Sequence, residues 1–216
     1  TAVIVSTART PIGKAFRGAF NDTQAQEMAG HAIAEAVKRS KVSKEEIDDV
    51  IIGAAGQQGS QQGNIARQSL LRAGLPVSVA GMSLDRQCAS GMMAIATAAK
   101  EITEDGMTIT VGGGVESVSL VRNENFRMDR ARDPWLEENI PSLYMTMIET
   151  AENVAKRYGI SREAQDEYSL QSQMRTARAQ QNGYMDKEIV PLKSTMKYKD
   201  KETGEISSHD VCIEKD

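Results

Sequence analysis

One stretch of the chain combines a nucleophile with a setting that activates it: Ser83-Leu84-Asp85-Arg86-Gln87-Cys88-Ala89-Ser90-Gly91-Met92. A short strand-like run gives way there to small, helix-forming residues, which places a thiol at a helix N-terminus. Unpaired amides and the positive end of the helix dipole favour the thiolate over the thiol at such positions. Cys88 is therefore read as a nucleophile. The other cysteine, Cys212, and the two histidines, His31 and His209, have no comparable setting, and none falls at zinc-ligand spacing. No metal is expected.

Strands and helices must alternate to present such a turn. Ala2-Val3-Ile4-Val5 reads as a buried strand running into the loop Arg9-Thr10-Pro11-Ile12-Gly13. Thr23 and Gln26 form a capping-box pattern for a helix whose apolar face carries Met28, Ala29, Ala32, Ile33, Ala36 and Val37. His31 falls on the opposite, solvated face. Ser43 and Glu46 repeat the capping pattern before a second strand, Val50 to Gly53. A Gly/Gln-rich loop then leads to Asn64, an N-cap for Ile65 to Ala73, with Gly74 and Pro76 as the stop. No Gly-Lys-Ser/Thr follows that loop, so it is no phosphate cradle. Met82 to Leu84 predicts a third strand, Ala89 to Ile102 a helix, and Met107 to Val111 a fourth strand ending at Gly112-Gly113-Gly114.

This alternation predicts an α/β fold, a mainly parallel sheet covered by helices on both faces, with function at the strand ends that lead into helices. After about Ser119 charged residues become denser and the alternation stops. Two regions are therefore expected, 1–118 and 119–216. In the second, 127–138 reads as a loop, 149–158 and 161–182 as helices, Ile189-Val190-Pro191 as strand-like, and Lys201 to Gly204 as a turn before a strand-like Val211-Cys212-Ile213.

Composition narrows the function classes. With 26 basic and 30 acidic side chains and a net charge of −4, no field favours nucleic acid or an anionic membrane. Aromatic residues make up 4%, too few for base-stacking platforms. No stretch approaches the roughly 20 apolar residues that span a bilayer. Two distant cysteines in dissimilar contexts point to a reducing compartment, and a cytoplasmic small-molecule enzyme is expected.

Six segments, in order, resemble the thiolase family: Ser6 to Lys14, Asn64 to Gln68 ahead of Gly74-Leu75-Pro76, Cys88 to Met92, Gly112 to Ser117, Thr150 to Ala155, and Glu188 to Pro191. The resemblance implies two similar α/β halves with a loop domain inserted in the first, assembled as a homodimer or homotetramer. Residues 1–118 resemble most of the N-terminal domain and 119–216 the opening part of the loop domain. The family's second half, with its Gly-His-Pro and Cys-x-Gly-Gly-Gly motifs, has no counterpart in these residues.

The resemblance further implies that Cys88 attacks the keto carbon of a 3-ketoacyl-CoA, releases acetyl-CoA and carries the remaining acyl group to a second CoA thiol. The amide of Cys88 is a candidate oxyanion donor. CoA is expected as a co-substrate, with no permanently bound cofactor. His31, His209 and Cys212 lack the family contexts of the catalytic histidine and second cysteine, so the 1–216 fragment alone is expected to be inactive. Met147 matches a methionine lining the acyl pocket, with plain packing as the alternative. Some short-chain biosynthetic members carry a histidine where Thr146 stands, so the degradative, β-oxidation type is expected. Arg122, Arg127, Arg130 and Arg132 either meet CoA phosphates or form a solvated loop face. Two other readings stay open: a truncated, non-catalytic acyl- or CoA-binding or subunit-interaction protein, and a redox-active thiol protein.

Overall fold

The computed structural model describes residues 1–216. It divides into two units, one formed by 1–126 with 188–216 and the other by 127–187. The boundary thus differs from 118/119. Residues 119–126 and the C-terminal stretch belong with the first unit, because long-range pairing, which composition does not report, ties them there.

In the first unit α1 (Ala25–Ser40) precedes β1 (Asp49–Gly53), α2 (Ile65–Arg72), β2 (Ala80–Leu84), α3 (Ser90–Thr103), β3 (Thr110–Gly114) and the single turn α4 (Val118–Val121). The strands form a parallel sheet of order β2-β1-β3, with Ile51 opposite Met82 on one side and Gly112 on the other. As the central strand, β1 is wholly buried. Its alternation explains both layers. Val50 and Ile52 join the cluster of Ile33, Val37, Ile65 and Leu70 from α1 and α2, while Ile51 packs with Ala94 and Ala98 of α3. The predicted α/β architecture, a parallel sheet flanked by helices, is the one observed.

Four local expectations are corrected. Val3, Ile4 and Val5 form no strand and are 72%, 78% and 69% exposed. A β-branched run becomes a strand only where a neighbour supplies hydrogen bonds, and the only pairing near this segment is Arg9 with Ile189. Thr23 does not cap α1, whose N-cap is Gln24. The Thr23 hydroxyl instead meets Ser194 Oγ, and Gln26 Nε2 donates to Gln68 Oε1 at 2.7 Å. The glycines after Val111 lie inside β3 because they allow close backing by α3: a Cβ on Gly112 would sit 2.8 Å from the Cα of Ile95. Finally, 127–138 is not all loop.

The second unit holds α5 (Pro134–Asn139), α6 (Met147–Tyr158) and α7 (Arg162–Gln181). Asp133 caps α5, accepting the Leu136 N–H at 2.9 Å, and Pro134 follows in the first turn, where its missing N–H costs nothing. No residue of these three helices is buried.

The chain returns to the first unit as the antiparallel hairpin β4 (Leu192–Lys199) and β5 (Ile206–Ile213). Asp200 holds its turn by accepting the amides of Glu202 and Thr203, both at 2.8 Å. Arg9 fixes the hairpin's base, with Nε on Glu188 and both terminal nitrogens on Asp216, each at 2.8 Å.

Candidate active site

Between β2 and α3 the chain makes one tight turn, and Cys88 is on it. Gln87 adopts a left-handed conformation, with φ of 51°, which a residue bearing a Cβ rarely enters. Asp85 Oδ1 accepts the Gln87 amide at 2.7 Å. Ser90 Oγ accepts the Arg86 amide at 2.8 Å and donates to the Gln87 carbonyl at 2.6 Å. The amides of Ala89 and Ser90 donate to Arg86 and Gln87 carbonyls at 3.1 and 3.0 Å. Cys88 stands just before Ala89, the N-cap of α3, as a free, exposed thiol.

Backbone packing fixes this helix start. A Cβ on Gly53 would come within 2.1 Å of the Ser90 carbonyl carbon, and one on Gly114 within 2.9 Å of Gly91 Cα. Strand backbone therefore meets helix backbone at Gly53, Gly91 and Gly114, the C-terminal edge of the sheet.

A second network braces that edge. Glu116 accepts the amides of Ala55 and Gly56 at 2.9 and 3.3 Å and Gln61 Nε2 at 2.8 Å. Gln61 is fully buried, and its carbonyl oxygen accepts the Ser117 amide. Asn64 caps α2, also left-handed with φ of 63°, and ties it to β2 through Gly81 and Ser83. The Asn64 cap was legible from sequence. The Glu116–Gln61 pair was not, since 55 residues separate the two.

The other sequence candidates are not gathered at this turn. His31 Nε2 lies 3.0 Å from the Pro191 carbonyl, so it contacts the chain preceding β4 instead of standing free in solvent. His209 pairs with Ser207, and Cys212 is an exposed free thiol on β5 opposite Lys193. Met147 opens α6 and is 75% exposed. Thr146 is the N-cap of α6, its hydroxyl accepting the Glu149 amide at 3.2 Å while Glu149 accepts the Thr146 amide at 2.9 Å. The Thr146 amide, together with the Thr146 hydroxyl donating to Glu149 Oε2 at 2.9 Å, holds the Glu149 carboxyl below its ordinary pKa. Arg122 lies over Phe126, Arg127 pairs with Asp129, and Arg132 pairs with Glu137 and covers Tyr144, while Arg130 sits in a left-handed conformation.

The family described as Thiolase, N-terminal domain, matches residues 2–215. This chain belongs to the thiolase family. It is 39% identical over 197 residues to the 3-ketoacyl-CoA thiolase of Bacillus subtilis, covering 90% of this chain and 49% of that protein. It is 40% identical over 200 residues to the acetyl-CoA acetyltransferase of Cupriavidus necator, covering 88% and 50%. A crystal structure of the Bacillus anthracis acetyl-CoA acetyltransferase superposes with a TM-score of 0.79 at 36% identity, covering 99% of this chain and 54% of that one. The thiolase chain described here spans about half the length of the curated relatives it matches. No helix of it is long and apolar enough to cross a membrane.

Proposed function

We propose that Cys88 is the nucleophile of an acyltransferase that cleaves 3-ketoacyl-CoA with CoA, or condenses acetyl-CoA in the reverse direction. The observation that carries this reading is an exposed thiol on a left-handed turn whose following helix rests, backbone on backbone, against the sheet. The thiolate attacks the 3-keto carbon, and collapse of the adduct breaks the bond between the second and third carbons. That electron pair leaves with acetyl-CoA, whose carbanion takes up a proton. The acyl group stays on Sγ as a thioester until the thiolate of a second CoA displaces it. Sulfur suits both steps, as a strong nucleophile and a competent leaving group. The Cys88 amide, at the start of α3, supplies one donor to the oxyanion.

In this reading the proton acceptor for the thiol and the acid for the carbanion reside in a second half of the protein. His31, His209 and Cys212 take neither role, and residues 1–216 alone do not turn over. Met147, exposed at the start of α6, is the residue that contacts the acyl chain in this reading. The arginines at 122, 127, 130 and 132 are mostly occupied with neighbours, which favours a solvated loop face for them. Thr146 as a helix cap in place of an imidazole supports the degradative type. Two free thiols suit a reducing, cytoplasmic setting. Homodimeric or homotetrameric assembly completes the proposal.

The test is to mix the complete protein, with its second half present, with a 3-ketoacyl-CoA, quench, digest and locate the added mass. An acyl group on Cys88, absent from Cys88→Ser, is expected. Acylation elsewhere, or none, refutes the reading.

A further inference from the structure

We propose that the Ser90 hydroxyl, with the Asp85 carboxylate, is the positioning group that sets the direction of the Cys88 thiol and amide. This rests on Cys88 being the nucleophile.

Cys88 follows directly from Gln87, so rotation about the Gln87 backbone swings both the thiol and the amide. Gln87 occupies a backbone conformation disfavoured for any residue with a Cβ, and something must hold it there. Three polar groups lead into Cys88: the Arg86 amide, the Gln87 amide and the Gln87 carbonyl. Ser90 Oγ takes the first at 2.8 Å and the third at 2.6 Å, and Asp85 Oδ1 takes the second at 2.7 Å. Ser90 is only 4% exposed, which disfavours a water in place of its hydroxyl, and its carbonyl packs directly against Gly53. An alanine at 90 would suit a helix as well or better. What it cannot do is accept from Arg86 and donate to Gln87 at once. Without the hydroxyl the Arg86 amide loses its acceptor and the Gln87 carbonyl keeps only the Ser90 amide, at 3.0 Å, so Gln87 relaxes toward ordinary backbone conformations and Cys88 turns with it.

The test measures two rates, acylation of Cys88 by a 3-ketoacyl-CoA and alkylation of Cys88 by iodoacetamide, with Cys212 as an internal reference thiol. Ser90→Ala and the exposed-site variant Asp85→Ala should each slow acylation, Ser90→Ala by about tenfold or more, the scale on which a displaced reacting group loses rate. Cys88 alkylation should fall while Cys212 alkylation stays constant. Adding Gln87→Gly to Ser90→Ala should restore most of the loss, because glycine enters φ above zero without help. A loss of general stability would show no such rescue. Wild-type rates in a folded Ser90→Ala protein, or no recovery with Gln87→Gly, overturn the proposal. If Ser90→Ala does not fold, a wild-type rate in Asp85→Ala overturns it. If the wild-type protein is not acylated at all, the acyltransferase reading fails, and the alkylation ratios across the same variants still decide the positioning role.

Discussion

Substituting Gly53 with alanine offers the sharpest test of how the Cys88 turn is supported. The new Cβ would lie 2.1 Å from the Ser90 carbonyl carbon, 2.2 Å from its oxygen and 2.6 Å from the Gly91 nitrogen, against an ordinary limit of 3.4 Å. All three opposing atoms are backbone, so no side chain can rotate away. Nor can β1 retreat, since it is hydrogen-bonded to β2 and β3 and buried along its whole length. The start of α3 must therefore move outward by more than 1 Å, the difference between 2.1 and 3.4 Å. Overpacking of this kind costs about 3 kcal/mol, the upper end of its usual range, because the neighbours cannot repack. For a unit of this size that corresponds to a fall in Tm of about 6–12 °C. The same displacement carries Cys88 with it, and acylation should slow by about 100-fold. Gly113→Ala is the control, since its Cβ would meet only Ile52 Cδ1 at 3.7 Å. Thermal and urea unfolding of both variants, followed by circular dichroism, should separate them clearly. Equal midpoints for Gly53→Ala and wild type, or equal damage from the two alanines, would refute the reasoning.

Three further outcomes follow from named contacts. Glu101 is 8% exposed, its Oε2 has no hydrogen-bond partner, and burial, then Asp49 and Asp105, raises its pKa. A carboxyl raised in the folded state makes stability greatest below its unfolded pKa and erodes it as pH rises toward the folded value. Glu101→Gln should therefore stabilise the protein at neutral pH and flatten the unfolding midpoint above about pH 4.3; a variant less stable at pH 7 than wild type contradicts this. Arg9 holds the Asp216 carboxyl below its ordinary pKa, so that contribution is present above the unfolded value and fades as pH falls through the folded one. Arg9→Ala should cost about 1 kcal/mol and speed limited proteolysis near the hairpin's base, and an unchanged cleavage pattern would count against the clamp. Thr146→Ala removes the α6 capping box and should cost about 1 kcal/mol of local stability, read as faster amide exchange in residues 147–150 with α7 unaffected.

Local grammar carried much of this molecule. Period and caps located α1, α2, α3, β1 and β2 within a few residues, and Asn64, Gly74 and the Ser43–Glu46 pair do the capping and stopping expected of them. Cys88 could be singled out because a strand, a turn and small helix-forming residues are contiguous around it. What sequence reading missed depends on distant partners. Thr23 carries a capping pattern, yet its hydroxyl is taken by Ser194, 171 residues away. Ala2 to Val5 has the composition of a strand, but a strand exists only as a pair. Gly112 to Gly114 read as the end of a strand over 107–111, and the nearness of α3 shows that they are strand residues stripped of side chains. Asp133-Pro134 is a local exception, a helix-start pair whose signal is diluted by the polar residues around it. The Ser90 hydroxyl, sandwiched between two backbone groups only three or four residues away, was legible in principle from the turn it closes.

The meeting of Gly53, Gly91 and Gly114 has a consequence for motion. Ordinary helix–sheet contacts are made by side chains, which hop between rotamers and let one layer slide slightly over the other. Here nothing intervenes between the two backbones, so the contact has no rotamers to populate. The disorder that such side chains would have retained is absent, and the start of α3 can move only as the sheet moves. The thiol on that turn inherits the stiffness of the central strand, although it stands at the surface.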